Sequence, residues 1–584
     1  MYRRINLAVD PRGDHMADKG ENRGGFHYAD ILVGAVIIAI LSLILAWATH
    51  AHHYRPETGG ISLAYAKLPL YALYSWLRMF FAYLLSIIFT FVYAYQAAYN
   101  KRAEKILIPL LDILQSIPVL SFLPVVLLAF IALFPGSRLG VNLASILLIF
   151  TGQVWNMVFA FYHGLITIPR DLRESALSLN LSPWQRFRTL ELPYAMVGLV
   201  WNSMMSWAGG WFFLMAAEMF SLGNRNYQLQ GLGSYLQTAA NQGNWNKEIW
   251  GLLVLIAVIV AMDQLVWRPL LAWSDKFKME LVEGAVKPRS AVLMILRRSI
   301  LLEWLGQKVF APVTEWTDRL FSRTLPKITH KQPVESLMGL LRSLLLAFSL
   351  IALFSALEGA FHLMAHWTWS QVLMVLLAVG ATLFRVMMSL LISVLWTVPV
   401  GVFIGSHPKW AQALTPITQI AASVPATALF PGLVALLIGL HGGLQTASIL
   451  LMVLGTQWYI LFNVIAGASA IPEDLREATV MFRLKGWQAW KTLILPAIYP
   501  YLITGLITAS GGAWNASIVA EYVSFHNRTY TTFGVGSLIA ETSQKGQFSL
   551  LLLATGTLAL TVVLINRLIW RPLYNRAAER YSLS

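Results

Sequence analysis

Cysteine is absent from all 584 residues. That excludes disulfides, thiolate nucleophiles and Cys-ligated metal sites, and it leaves the redox compartment unreadable. Charge is scarce too: 12% of the residues are Asp, Glu, Lys or Arg, against roughly 25% in an ordinary globular domain. No G-x-x-x-x-G-K-[ST] run is present to cradle nucleotide phosphates. Nor is there a nucleophile elbow, an H-E-x-x-H pair or a kinase motif set. These absences argue against a soluble enzyme and against catalysis by this chain alone. What is there is apolar: 57% of the residues are hydrophobic and the mean hydropathy is +0.61. The 22 Trp, 21 Tyr and 29 Phe suit side chains anchored at membrane interfaces. Acids are fewer than bases, 28 against 43, for a formal net charge of +15. In a soluble protein that excess would suggest nucleic acid, but in a membrane protein it can mark one side of the bilayer.

About 20 apolar residues cross a hydrocarbon core of about 30 Å. On that measure the sequence predicts twelve spans, near 31–49, 70–99, 106–134, 141–163, 194–218 and 249–267, and near 338–363, 371–404, 411–440, 444–466, 497–520 and 548–570. The fold class is therefore an all-α polytopic membrane protein. The segments 70–99 and 371–404 are long enough to require tilt or a start along the surface. With the N-terminus inside, 33 Lys and Arg fall on inside segments and 7 on outside ones. The positive-inside rule then puts both termini in the cytoplasm. The basic excess is thereby topological, and no nucleic-acid partner is expected.

The chain repeats itself. LVWRPL at 265–270 returns as LIWRPL at 568–573, and LRESA from Leu172 returns as LREAT from Leu475. The same offset pairs Glu218 with Glu521, and Gly231 with Gly534. Upstream a slightly longer offset pairs Arg78 with Arg385, Ser116 with Ser423 and Pro118 with Pro425. The expected organisation is a tail (1–30), a first six-span repeat (31–273), a basic linker (274–335), a second six-span repeat (336–573) and a tail (574–584). Six is even, so both repeats enter the membrane in one orientation and face each other about an axis along its normal. Within the linker, the apolar stretch 292–310 is expected to lie as a helix on the inner leaflet, in contact with membrane lipid.

Two loops carry the most specific signal. ESALSLNLSPWQRFRTLELP from Glu174 and EATVMFRLKGWQAWKTLILP from Glu477 each begin with Glu and end with Leu-Pro. Each also carries a Trp, Trp184 and Trp487, and each follows an Ile-Pro pair. In these features the sequence resembles the binding-protein-dependent ABC importer permeases, whose loop between two late spans forms a coupling helix seated on an ATPase subunit. The resemblance implies coupling roles for Glu174, Ser175, Ala176, Asn180, Leu192 and Pro193, and for Glu477, Ala478, Thr479, Arg483, Leu495 and Pro496. At the seventh position, where the family has Gly, stand Asn180 and Arg483. Asn tolerates a left-handed turn and Arg much less, so the second loop is expected to turn poorly and the two docking sites to be unequal. The strings SIPVLSFLP and SVPATALFP, with Trp211 to Glu218 and Trp514 to Glu521, are similar to the nitrate, sulfonate, taurine and bicarbonate branch. This chain looks like the fused members of that branch.

The resemblance implies two ABC ATPase subunits holding ATP and Mg, no cofactor in this chain, a periplasmic or lipid-anchored substrate-binding protein, and the bacterial inner membrane. Two alternatives stand beside a small-anion importer: a fused permease for iron or thiamine-type substrates, and a secondary transporter working without an ATPase.

The pathway is expected where prolines interrupt membrane helices, since half-helix ends offer free backbone groups. Pro118, Pro124, Pro425 and Pro431 mark such breaks, flanked by Gln115, Ser116, Gln419 and Ser423, with Gln153 and Gln457 on the following spans. Ionisable residues at membrane depth are functional candidates. Arg78 and Arg385 suit an anion attractor at the outer mouth, and Glu218 and Glu521 a gate or lock between spans. The competing reading snorkels them to the interface or pairs them with one another. His50, His52 and His53, with only Glu57 to complete a shell, are not expected to bind metal.

Overall fold

The computed structural model describes residues 60–134, 137–222, 225–277, 291–323 apart from 298, 300–303 and 305, 358–437 apart from 360 and 366, 443–525 and 528–581. The expected span 31–49, most of 338–363 and the histidine cluster lie outside these residues. Among the described residues seven helices are long and apolar enough to cross a membrane: Tyr65–Tyr99, Leu139–Ile166, Trp245–Phe277, Trp369–Ser406, Leu444–Ser469, Trp487–Ala520 and Phe548–Ala577.

Two of the expected spans are not single helices. Helix Lys101–Ser116 stops where Ile117 turns extended (φ −77°, ψ 126°), and the chain resumes as Leu123–Leu133 after a short 3-10 turn, Val119–Ser121. Its counterpart Pro408–Ser423 stops at Val424 (φ −71°, ψ 118°), and Ala426–Leu437 follows. The cause is local, because a residue before proline is driven out of the α region. Pro118 and Pro425 therefore make the breaks. Pro124, also expected to interrupt a helix, instead lies in the first turn of Leu123–Leu133, where its missing N–H costs nothing.

The Leu-Pro and Arg-Pro signatures have a common structural use. π-helical turns occupy Phe187–Glu191 and Trp490–Ile494 just before Pro193 and Pro496. Two more occupy Asp263–Trp267 and Asn566–Trp570 just before Pro269 and Pro572. A proline removes the i→i−4 hydrogen bond and crowds that carbonyl. One wide turn absorbs the misfit and lets the helix run on.

In each half three long helices pack together: Leu68–Tyr99, Arg138–Ile166 and Leu192–Glu218, and then Trp369–Ser406, Leu444–Ser469 and Leu495–Ala520. Each half has its own apolar core. A third cluster joins them, with Val119, Leu120, Leu148, Phe213 and Ala217 packed around Ile518. Large apolar side chains such as Val92, Phe384 and Leu395 face outward, as lipid contact requires. After the fifth helix of each half comes a feature the sequence reading omitted, an antiparallel hairpin. Met219–Leu222 pairs with Arg225–Gln228, and Tyr522–Phe525 with Arg528–Thr531.

The linker differs from the single helix expected over 292–310. Its described helical segments are Ala291–Arg297, with Ser299 outside the helix, and a π-helical turn Gly306–Phe310 that runs on into Ala311–Arg323. Here too a wide turn stands just before a proline, Pro312, as at Pro193, Pro269, Pro496 and Pro572.

Candidate functional site

The two loops are built alike. Each begins at an Ile-Pro whose Ile is buried, Ile168 and Ile471. Each then runs as a nine-residue helix, Arg170–Ser178 and Glu473–Met481. Arg173 donates from Nη2 to the Leu165 carbonyl at 2.6 Å, and Arg476 from Nη2 to the Ala468 carbonyl at 2.7 Å. Each arginine thus closes an orphan carbonyl at the end of the preceding span and fixes the angle between span and loop. The sequence reading missed both, although the Arg of LRESA and LREAT carried the signal.

Both short helices end in a left-handed residue. Asn180 and Arg483 have φ 51° each. The Leu181 amide reaches back to the Ala176 carbonyl at 3.2 Å, and the Leu484 amide to the Thr479 carbonyl at 2.9 Å, the six-to-one bond of a Schellman ending. This corrects the expectation that the second loop turns poorly. The turn is made in both, and at Arg483 its back-bond and the Arg476 tether outweigh a left-handed penalty of about 1 to 2 kcal/mol. Arg483→Gly is therefore expected to tighten the turn by about 1 kcal/mol. Slower hydrogen exchange at the Leu484 amide would show it, and unchanged exchange would mean that no strain is stored there.

Glu174, Ser175 and Asn180 are exposed, and so are Glu477 and Arg483, while Ala176 is buried and Ala478 and Thr479 are half-buried. Leu192 and Pro193, like Leu495 and Pro496, are half-buried at the start of the fifth helix. Behind the first loop, buried Glu191 accepts from the Tyr99 hydroxyl at 2.6 Å and from Arg186 Nε at 2.7 Å. Ile494 stands at the equivalent place in the second loop, so this anchor belongs to one half only.

The broken helices meet the opposite half. The Val119 amide donates to Asn515 Oδ1 at 2.7 Å, and Thr427 Oγ1 donates to the Phe212 carbonyl at 3.3 Å. Phe212 and Asn515 are equivalent positions in the repeat, so each break leans on the same point of the other half's fifth helix. Around this seam the expected polar residues divide. Gln115 donates to Asp112 Oδ1 at 3.0 Å on its own helix, and Gln419 is half-buried. Gln153 is fully buried inside the first half, its Nε2 3.9 Å from Met79 Sδ, and Gln457 is buried in the second half. Ser116 and Ser423 end the helices at the breaks, and their side chains lie outside the described part of the structure. Asp112 was missed. A lone acid in an apolar span was the available signal, and the repeat places it opposite Gln419.

Arg78 pairs with Glu218 and Arg385 with Glu521, which is the pairing alternative of the two readings. Arg78 Nη1 lies 2.6 Å from Glu218 Oε1, and both are buried. Arg78 also donates from Nε to Asn142 Oδ1 and from Nη2 to the Gln230 carbonyl, both at 2.9 Å. The carboxylate accepts from Ser75 at 2.5 Å and from the Gly233 amide at 2.7 Å. In the second half Arg385 Nη1 lies 2.8 Å from Glu521 Oε1. That carboxylate accepts from Thr382 at 2.8 Å and from the Gly536 amide at 2.9 Å, while Arg385 Nη2 donates to Thr532 and to the Phe533 carbonyl. A Cβ on Gly231 would stand 2.2 Å from Glu218 Oε2, and one on Gly534 2.3 Å from Glu521 Oε2. The repeated GLGS and GVGS motifs therefore exist for close approach. Each network ties the first described span, the end of the fifth helix and the helix after the hairpin into one rigid end.

A family profile described as "Binding-protein-dependent transport system inner membrane component" matches the chain twice, at residues 86–266 and 397–571, which together make up more than half of it. A nitrate import permease protein of Leptolyngbya laminosa is 28% identical over 191 residues, 33% of this chain and 65% of that protein. A bicarbonate transport system permease protein of Synechocystis is 30% identical over 187 residues, 32% of this chain and 64% of that protein. A taurine transport system permease protein of Escherichia coli is 28% identical over 161 residues, 27% of this chain and 54% of that protein. The chain thus spans just under two thirds of the length of the first two curated relatives.

Proposed function

The chain belongs to the binding-protein-dependent transport system inner membrane component family, and on that premise we propose that it is the permease subunit of an ATP-binding-cassette importer, carrying both copies of the permease unit and so both walls of the pathway. Its substrate is a small solute of the nitrate, bicarbonate or taurine kind, as the names of its relatives suggest. Two ATPase subunits bind ATP and Mg and dock on the loops 174–193 and 477–496, and a substrate-binding protein delivers the solute on the opposite side. Both termini and both loops lie in the cytoplasm of a bacterial inner-membrane protein, in keeping with the basic residues of those segments. Closure of the ATPases draws the loops together, and the two halves rock about the seam at Val119 and Thr427.

The observation that carries this reading is the duplicated loop, two short helices with the same tether, the same left-handed ending and exposed outer faces. A pair of exposed loop helices of this kind offers one docking place for each of two ATPase subunits. The test is reconstitution of the chain with the ATPases of its host in vesicles, with nitrate, bicarbonate or taurine supplied through the binding protein. Uptake that needs ATP supports the proposal. Uptake by the chain alone, driven by an ion gradient, would overturn it.

A further inference from the structure

The two loops match in backbone but differ on one flank. In the first loop Trp184 Nε1 donates to Asp318 Oδ1 at 2.9 Å, and Arg188 Nη2 lies 3.0 Å from Asp318 Oδ2. Asp318 belongs to the linker helix Ala311–Arg323. One carboxylate therefore bridges an indole N–H and a guanidinium spaced i, i+4 on one helical face. The repeat places Trp487 and Lys491 at the equivalent positions of the second loop. Both are exposed, Trp487 by 71%, and neither has a hydrogen bond or ion pair among the described residues. Among the described residues the linker helix is seated on the first loop, and no segment covers the corresponding flank of the second.

We propose that Trp487 and Lys491 form a docking site for a carboxylate side chain of the partner ATPase, and that Asp318 fills the corresponding site on the first loop from within the chain. The occupied site displays the chemistry of the open one: an aromatic N–H and a cation that together take both oxygens of one carboxylate. Such charge-assisted bonds are among the stronger polar contacts, and Trp is a common anchor of protein interfaces. Lys491 offers a point charge where Arg188 offers a fork, so the site asks for an acid but less strictly for its angle. Met481 and Phe482, earlier in the same loop, are exposed apolar side chains as well. The two ATPase positions are then unequal, though not through the turn at Arg483: the linker shields the first loop's flank, and the second loop takes one contact more.

The proposal rests on the importer reading, and its test separates the two. The full chain is coexpressed with the ATPase subunits of its host, purified in detergent, and ATPase retention is titrated. Trp487→Phe combined with Lys491→Gln is expected to weaken retention about tenfold or more, with the chain itself still monodisperse because both positions are exposed. Asp318→Ala vacates the first site and is expected to leave retention equal or tighter, while speeding hydrogen exchange in 311–323. Unchanged retention in the Trp487 and Lys491 variant overturns the proposal, and so does a loss confined to Asp318→Ala, which would make the linker itself the docking element. A wild-type chain that retains no ATPase removes the importer reading and this proposal with it.

Discussion

Glu218→Ala, with Arg78 left in place, is expected to cost about 3 to 5 kcal/mol of folding stability, because it leaves a buried guanidinium without its counter-ion. Glu521→Ala should do the same in the second half, where Arg385 Nη1 lies 2.8 Å from the carboxylate. Removing both charges at once, as Arg78→Met with Glu218→Leu, restores much of the loss, since a buried pair gains little over apolar residues of similar volume. It does not restore all of it: the hydroxyl of Ser75 and the amide of Gly233 both donate to Glu218, and each orphaned donor costs about 1 to 3 kcal/mol. Gly534→Ala offers a control that keeps every charge, because its Cβ would stand 2.3 Å from Glu521 Oε2 and push the carboxylate away. Unfolding titrated in mixed micelles measures all of these. Single variants as stable as the wild type would mean that the pairs do not lock the helices. An uptake defect in the double variant at full stability would return the arginines to the anion pathway.

The sequence announced both members of each pair, at repeated offsets and at membrane depth, and offered their partnership only as one of its readings. Arg78 and Glu218 are 140 residues apart, and whether such ions face a pore or each other is a matter of helix rotation that periodicity does not determine. The loops were legible because a duplicated motif and an Ile-Pro start constrain the chain locally. The breaks at Pro118 and Pro425 were legible because the restriction before proline acts on one residue, whereas Pro124 and Pro431, also expected to break a helix, lie within Leu123–Leu133 and Ala426–Leu437. The turn at Arg483 was misjudged for the opposite reason: intrinsic preference spoke against it, and a back-bond to Thr479 with a tether at Arg476 overrode that preference. Four-residue strands such as Tyr522–Phe525 are too short for a period-two pattern to stand out. The Asp318 contact had no counterpart in the repeat to reveal it, because the linker occurs once.

The largest effect on transport is expected from Glu174→Ala combined with Glu477→Ala. Both carboxylates are exposed, and neither has a hydrogen bond or ion pair among the described residues. One explanation for their presence is that each caps its own short helix. The first helix opens at Arg170, however, and its first-turn acid is Asp171, with Glu174 lying four residues in, beyond the turn where the helix dipole acts strongly. With no intrachain bond among the described residues, the two acids are available to a partner, and each lost charge-assisted bond should weaken ATPase docking by about 1 to 3 kcal/mol, roughly 5 to 150-fold. Each single variant should retain partial coupling through the other loop. The double variant should lose substrate-stimulated ATP hydrolysis while the isolated chain unfolds at the wild-type denaturant midpoint, a separation that a merely structural role could not produce. The measurement is ATPase copurification and stimulated hydrolysis in reconstituted vesicles for both singles and the double. Wild-type assembly and stimulation in the double variant would mean that the force of ATP closure enters the membrane elsewhere, and the matched tethers at Arg173 and Arg476 would then need another purpose.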